Sequence, residues 1–211
     1  VAKGHAKRPL VITASRGRGK SAALGMAASQ LLQDENIKII VTAPSINNLT
    51  SFYKHLSINQ ENSRNIISES GSSLNFIPID QIIIKSPKTS ILIIDEAAAV
   101  PVFQLQVLIE KYNRIVFATT TDGYEGNGKG FEIRFKKKLL DRYPQSRFNT
   151  LSIPIRWSIK DELEKACFKA LLLDCKLKKL NETNLPDYKK LSFKLLSKTE
   201  LRADEILLKQ V

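Results

Sequence analysis

The stretch TASRGRGKSAAL, residues 13–24, decides the fold of this chain. It lies between a short β-branched run, PLVITA (9–14), and a run with alanine and leucine at helical spacing, KSAALGMAASQLLQ (20–33). A tight turn between a buried strand and a helix directs several backbone N–H groups, and the positive end of the helix, at one point in space. The stretch therefore predicts either a phosphate-binding loop or a basic glycine-rich turn of similar composition.

The residues of this turn fit the second half of the phosphate-loop pattern G-x-x-x-x-G-K-[ST]. Ala14 stands in place of the first glycine, and alanine is tolerated there if its φ stays negative. In such a loop Lys20 reaches the β- and γ-phosphate oxygens, and the hydroxyl of Ser21 binds Mg²⁺. The predicted nucleotide-binding residues are Ser15, Arg16, Gly17, Arg18, Gly19, Lys20, Ser21 and Ala22.

A second motif supplies the acids that such a site needs. The apolar run SILII (90–94) ends in Asp95 and Glu96. We predict that Asp95 joins Ser21 in holding Mg²⁺, and that Glu96 orients the attacking water. A lone acidic pair before a helix more often only favours the helix dipole. The ordered pair of motifs, however, predicts a nucleotide site, with ATP as the default because the N-K-x-D guanine motif is absent from the sequence.

Two further segments are candidates for the same site. TTTDGYEGNGKGF (119–131) begins where the next strand should end, and we predict that it senses the γ-phosphate or couples the nucleotide to a partner. Its candidate residues are Thr119, Thr120, Thr121, Gly123, Tyr124 and Glu125. Arg156, in PIRWS (154–158), is a candidate catalytic residue with Lys20 and Glu96, since an arginine there could reach the γ-phosphate; pairing with a structural carboxylate is the alternative.

Strand-like and helix-like runs alternate along the chain, which predicts an α/β fold with a mainly parallel sheet and helices on both faces. We interpret NFIPIDQIII (75–84) as a strand interrupted at Pro78, and SINNLTSFYKHL (45–56) as a helix capped by Ser45. We place the nucleotide-binding core at residues 1–156 and a lysine- and leucine-rich helical extension at 157–211.

The composition and charge of the chain indicate which classes of binding partner to expect. A formal net charge of +12 favours a polyanion, although a basic surface without a partner is an equal alternative. Apolar runs such as ILII are too short to span a bilayer, and no signal peptide opens the chain, so we expect no membrane partner. Cys167 and Cys175 form no zinc or disulfide pattern, and we interpret them as reduced core thiols of a cytoplasmic protein.

Four of these segments together resemble one family. TASRGRGKSAALG, IDEAAAVP, TTTDGYEGNGKGF and PIRWSIKDELE are similar to the helicase-like ATPase module of the tRNA(Met) cytidine acetyltransferases, over about residues 9–174. The resemblance implies a RecA-like P-loop fold in which Gly17, Gly19, Lys20 and Ser21 form the phosphate loop. Asp95 and Glu96 then match the second acidic motif, and Arg156 the arginine of the P-I-R-W stretch.

The same resemblance implies what the whole enzyme does. It implies that ATP or GTP hydrolysis is coupled to formation of N4-acetylcytidine at the wobble position of elongator tRNA(Met), beside acetyltransferase and N-terminal domains of the same full-length chain. The sequence contains no [QR]-x-x-G-x-[GA] turn for binding acetyl-CoA. The closest match, Arg16, Gly19 and Ser21, ends in serine and already belongs to the phosphate loop. We therefore expect acetyl-CoA to be a cofactor only of the full-length enzyme. The alternatives are a general DNA or RNA translocase, and a scaffold that binds nucleotide and tRNA without hydrolysis.

Overall fold

A computed structural model describes residues 6–56, 65–120, 131–171 and 192–204. The chain divides into two compact units, Val1–Ile159 and Lys160–Val211. The division into a nucleotide-binding core at 1–156 and a helical extension at 157–211 assigns a function to each part and stays a prediction.

Seven strands of the first unit form one sheet. Across the sheet their order is β3-β4-β2-β5-β6-β1-β7. All neighbours pair in parallel except β3, which is antiparallel to β4. The strands are β1 (Leu10–Ala14), β2 (Lys38–Thr42), β3 (Asn65–Ile67), β4 (Ser73–Phe76), β5 (Ile91–Ile94), β6 (Ile115–Thr120) and β7 (Arg147–Leu151).

Helices connect these strands. In the first unit they are α1 (Lys20–Leu31), α2 (Thr50–Lys54), α3 (Ile79–Lys85), α4 (Val102–Lys111) and α5 (Lys136–Arg142), with 3₁₀ turns at Ile46–Leu49 and Ala97–Ala99 and a π-helical turn at Phe131–Phe135. The second unit contains α6 (Glu162–Ala170) and α7 (Lys198–Ala203). None of the helices in the described part of the chain is long and apolar enough to cross a bilayer.

The core lies in two layers, one on each face of the sheet. Alternate residues of a strand point to opposite faces, so Ile93 packs with α1 and α2 while Leu92 and Ile94 pack with α3, α4 and α5. The four residues of β5 are all buried, which explains why this strand reads as an unbroken apolar run. The predicted α/β fold, a mainly parallel sheet with helices on both faces, is confirmed.

Two local predictions had different outcomes. Ser45 caps the turn that precedes α2, since its side chain accepts a hydrogen bond from the N–H of Asn47 at 3.3 Å. Of the strand predicted over 75–84, Asn75 and Phe76 lie in β4 and the break at Pro78 is present, but the part after Pro78 is wrong because α3 begins there. Proline suits the start of a helix, and Asp80 in the first turn favours the helix dipole, so the isoleucines continue as a helix.

Candidate nucleotide-binding site

The strands β1, β5 and β6 bring the predicted site residues to one edge of the sheet. They run parallel, so their carboxyl ends meet, and the loops that follow them converge there. β6 lies between β1 and β5. Ala14 pairs with Thr120, so the start of the phosphate loop and the end of β6 are neighbours.

The turn between β1 and α1 has the backbone that a phosphate loop needs. Gly17 and Gly19 both have φ of +76°, a left-handed conformation that glycine adopts without a steric penalty. Ala14 is the last residue of β1 and is fully buried, so the strand continues through this position without a glycine. α1 begins at Lys20, no side chain caps it, and its first helical bond runs from the N–H of Ala23 to the carbonyl of Gly19. The N–H groups before Ala23 therefore lie at an uncapped helix N-terminus, where anions bind.

Lys20 lies beside the end of β6 and the acidic motif. Its Nζ donates a hydrogen bond of 2.8 Å to Oγ1 of Thr120, and the Thr120 hydroxyl lies 3.2 Å from Oε2 of Glu96. Nζ is also 3.7 Å from Oε1 of Glu96. Lys20 is 7% exposed and Glu96 is 32% exposed, so the lysine is buried while the carboxylate faces partly to solvent. The threonine hydroxyl thus bridges the two charged groups.

Glu96 is held in a strained backbone conformation. Its φ of 50° and ψ of 45° lie in the left-handed region, which is uncommon for a residue with a long side chain. Its N–H donates to Oδ1 of Asp95 at 2.9 Å, and the N–H of Asp95 bonds to the carbonyl of Thr42 at 2.9 Å. Such strain persists only where the surroundings hold it, and here it turns the Glu96 side chain toward Thr120 and Lys20.

Asp95 is the most deeply buried acid of the site. It is 0% exposed, and burial raises the pKa of its carboxyl above the ordinary value. The neighbouring hydroxyl of Ser21 lowers this pKa, the negative charge of Glu96 raises it, and the positive charge of Lys20 lowers it less strongly. Oδ2 has no hydrogen-bond partner among the described residues. A buried carboxylate oxygen without a partner, next to a serine hydroxyl, is the donor set that Mg²⁺ prefers.

The other predicted residues lie at different distances from this centre. Ser15, Arg18 and Ala22 are half-buried, and Arg16 is exposed. Thr119 is buried at the end of β6 beside Thr120. Thr121, Gly123, Tyr124 and Glu125 lie outside the described residues. The structure therefore brings together Lys20, Ser21, Asp95, Glu96 and Thr120.

Sequence reasoning singled out Arg156 but missed that the residues on either side of it pack on the outside of the loop. Residues 154–157, here called the strap, follow β7, and the N–H of Ile155 donates to the carbonyl of Gly17 at 3.1 Å. The ring of Trp157 lies against Gly17, and the guanidinium carbon of Arg18 is 5.6 Å from its centre. Arg156 lies between Ile155 and Trp157 in the sequence, and its side chain is exposed. The motif PIRW drew attention to its arginine, but only the pairing of β7 with β1 shows that Trp157 reaches the loop.

One sequence interpretation outside the site is wrong. Cys167 is a free thiol on α6 and is exposed, so it is not part of a core. Cys175 lies outside the described residues.

The family match extends over most of the chain. Residues 11–174 match the helicase domain of RNA cytidine acetyltransferase NAT10/TcmA. This range contains the phosphate loop, Asp95, Glu96 and the strap.

Individual relatives agree with this match. A tRNA(Met) cytidine acetyltransferase TmcA of Vibrio cholerae is 38% identical over 205 residues, which cover 95% of this chain and 28% of the relative. TmcA of Nitrosococcus halophilus is 42% identical over 177 residues, which cover 82% of this chain and 24% of the relative. TmcA of Pyrococcus abyssi is 31% identical over 211 residues, covering 93% and 24%. The chain thus spans about a quarter of the length of these relatives.

Solved structures give more distant likenesses. The ATPase domain of the large terminase of Thermus phage P74-26 has a TM-score of 0.40 and 14% identity, covering 71% of this chain and 77% of the other. Bacteroides Pif1 bound to single-stranded DNA has a TM-score of 0.41 and 14% identity, covering 79% and 42%. Both are too distant to bear on function.

In the mainly parallel sheet, β6 lies between the phosphate-loop strand β1 and the acidic strand β5, which is the RecA-like arrangement that the resemblance implies. The chain belongs to the RNA cytidine acetyltransferase family, and the part of that family it matches is the helicase domain.

Proposed function

We propose that this chain binds ATP or GTP with Mg²⁺ and hydrolyses it, as the helicase-like module of a tRNA(Met) cytidine acetyltransferase. In the full-length enzyme the hydrolysis is coupled to formation of N4-acetylcytidine at the anticodon wobble position. Acetyl-CoA binds to the acetyltransferase domain of the full-length protein and not to this module. A cytoplasmic location belongs to the same proposal.

One observation carries the proposal: Lys20, Thr120 and Glu96 form a bridged cluster beside the buried Asp95. These groups come from three separate positions in the chain, and a purely structural ion pair would need neither the uncapped helix start nor the positive φ of two glycines. A glycine-rich basic turn without a ligand would not explain the unpartnered Oδ2 of Asp95.

In this proposal the chain's own residues share the work of phosphate binding. The backbone N–H groups of residues 15–22 bind the phosphates, and Lys20 moves its ammonium group from Glu96 toward the β- and γ-phosphate oxygens. Ser21 and Asp95 would hold Mg²⁺, which supplies charge neutralisation at the phosphate oxygens when bound. Glu96, released from Lys20, accepts a hydrogen bond from the attacking water and orients it.

The RNA partner follows from the family and the charge. The relatives are described as tRNA(Met) cytidine acetyltransferases, and the net charge of +12 suits a phosphate backbone. We propose tRNA, and elongator tRNA(Met) in particular, as the partner of the whole enzyme. The exposed Arg156 is proposed to contact the γ-phosphate.

Calorimetry with Mg²⁺ and ATP, followed by phosphate-release assays with and without tRNA, tests the proposal. Lys20→Ala should lose measurable ATP binding, because it removes the charge that meets the phosphates. Glu96→Gln should retain binding, and its phosphate release should fall by about 10²–10⁴-fold, the usual contribution of a positioned base. Lys111→Ala is the matched control, because Lys111 lies away from the loop and donates its hydrogen bonds to the carbonyl of Ile83 and Oγ of Ser86.

The outcomes separate the alternatives. Binding lost in Lys20→Ala and release stimulated by tRNA support the coupled ATPase. Tight ATP and tRNA binding without release, even with the full-length enzyme, favours a scaffold. Separation of DNA or RNA duplexes by the chain favours a general translocase. Equal binding by the Lys20→Ala and unmutated chains contradicts the proposed phosphate site.

A further inference from the structure

The strap, residues 154–157, lies against the phosphate loop because of the sheet. β7 pairs with β1 in parallel, with Leu151 opposite Ala14, so the segments that follow these two strands leave the sheet side by side at its carboxyl end. The strap then bonds to the loop through one backbone hydrogen bond, from the N–H of Ile155 to the carbonyl of Gly17. This bond joins residues that are far apart in sequence at the turn where the phosphates are proposed to bind.

The loop and the strap fit each other at the two glycines. A Cβ added to Gly17 would overlap the six-membered ring of Trp157, and one added to Gly19 would overlap Cδ1 of Ile155. Gly71 has nearly the same φ, +77°, yet a Cβ there would meet only Oδ1 of Asn36 at 3.5 Å, an ordinary contact. The absence of a side chain at Gly17 is therefore needed twice, once for the backbone conformation and once for the ring of Trp157, whereas the atom that would meet a Cβ at Gly19 is the end of an exposed side chain that can turn aside.

The position of Trp157 is set by packing. Its Nε1 is buried and has no hydrogen-bond partner among the described residues. A buried N–H without an acceptor is unfavourable, so the ring is not held there by that group. The ring face instead meets the loop at Gly17 and the guanidinium of Arg18, a contact of the cation–π type.

We propose that Trp157 and Ile155 are positioning residues of the nucleotide site, which hold the phosphate loop from outside in the shape that binds phosphate. They act through the loop backbone and do not touch the nucleotide. Binding of a nucleoside triphosphate inside the loop is consequently sensed by the Trp157 ring outside it. This inference rests on the proposed nucleotide site and adds residues to which no role is assigned by the phosphate-loop or acidic motifs.

The first test uses Trp157 as its own reporter, since it is the only tryptophan in the chain. Addition of Mg²⁺ and ATP should change the tryptophan emission of the unmutated chain and leave that of Lys20→Ala unchanged. By calorimetry, Trp157→Ala should weaken ATP binding by about tenfold through lost preorganisation of the loop, and Trp157→Phe, which keeps a flat ring, should restore most of it. Phe103→Ala is the matched control, since Phe103 is an aromatic residue, 64% exposed, on α4.

The second test needs no nucleotide. Gly17→Ala should shift the emission of Trp157, because the added methyl group displaces the ring. Gly71→Ala introduces alanine at the same kind of φ without a ring beside it, so its emission should match that of the unmutated chain. If Gly17→Ala, like Gly71→Ala, had the same emission as the unmutated chain, the ring would not lie on the loop and the inference would be overturned.

The two tests also separate this inference from the proposed function. An unmutated chain that binds no ATP contradicts the proposed function and the positioning role with it, while the Gly17→Ala shift still decides whether the strap contacts the loop. An unmutated chain that binds ATP with no change in emission, together with a Trp157→Ala affinity within about twofold of the unmutated one, overturns the positioning role alone.

Discussion

At the scale of single residues, Asp95 is the group of the site that lowers the free energy of unfolding most. Its carboxyl is 0% exposed and one of its oxygens has no partner among the described residues. A buried charge without full compensation lowers the free energy of unfolding. The raised pKa of Asp95 expresses the same effect, with burial as its largest cause. Without its ligand, the site therefore contains a residue that opposes folding.

Asp95→Asn should stabilise the chain in the absence of ligand at neutral pH. Because the folded pKa lies above the unfolded value near 3.8, the folded state binds more protons between these two pKa values, and stability falls as pH rises through that window. Asparagine carries no charge, so we expect its thermal midpoint at pH 7 to be ~2–4 °C higher, the shift that about 1 kcal/mol gives in a chain of this size. Scanning calorimetry at neutral and acidic pH measures both midpoints.

The control for this variant is the ligand itself. Mg²⁺ and ATP should raise the midpoint of the unmutated chain, because ligand that binds only the folded state stabilises it, and should raise that of Asp95→Asn less. The gap between the two unliganded chains should also narrow below pH 3.8, where the wild-type carboxyl is protonated in both states. A variant less stable than the wild type at every pH would mean that Asp95 contributes more through its hydrogen bonds than it loses by burial.

At the scale of elements, the contact between α1 and α2 depends on a glycine in the middle of a helix. Gly25 is buried in α1, and a Cβ there would run into the carbonyl oxygen of Phe52 on α2. The two backbones therefore lie in direct contact. Glycine inside a helix costs about 1 kcal/mol relative to alanine. Here the close approach of α2 explains why a residue with poor helix propensity is suitable.

Gly25→Ala should destabilise the fold although alanine favours the helix. The added methyl group meets a backbone atom that cannot rotate away, so we expect the free energy of unfolding to fall by ~1–3 kcal/mol, as overpacking does. Ala27→Gly, at an exposed position of α1, should lose only the propensity difference of up to ~1 kcal/mol. Urea titration of both variants compares the two effects. A more stable Gly25→Ala would show that α2 does not pack closely on α1.

The elements also show how far the sequence could predict this fold. The unbroken apolar run of β5 and the turn capped by Ser45 lie where the sequence places them. The segment after Pro78 was predicted incorrectly, because four isoleucines in it suit a strand and a helix face equally. Only the contact of Ile82 with the core below α3 decides between them.

At the scale of the whole molecule, the site depends on the strand order. Lys20 and Thr120 are 100 positions apart in sequence, and they meet because β1 and β6 are neighbours. Two linear motifs predict that Lys20 and Asp95 share a site, since the chemistry of nucleotides requires both. No linear motif predicts the contact of Trp157 with Gly17, because it follows from the placement of β7 at the edge of the sheet. The sequence could thus predict the residues that meet at the site, but not the strap that packs on the phosphate loop.

A chain that ends at Ile159 should fold and bind nucleotide. Val1–Ile159 forms a compact unit that contains the whole sheet, the phosphate loop, the acidic motif and the strap. We expect its thermal midpoint to lie within ~3 °C of that of the longer chain, and its ATP affinity to be unchanged. Scanning calorimetry and titration calorimetry on both lengths measure this. A shortened chain that aggregates, or one that binds ATP much more weakly, would show that residues 160–211 contribute to the site or to its stability.

The fit of Trp157 over Gly17 also constrains how this sequence can change. A side chain at position 17 overlaps the ring, so a substitution there displaces the ring unless position 157 holds a smaller residue. A smaller residue at 157 alone leaves a gap beside the loop, so the intermediate is impaired whichever position changes first. The two positions therefore form an epistatic pair, in which the effect of a substitution at one position depends on the residue at the other.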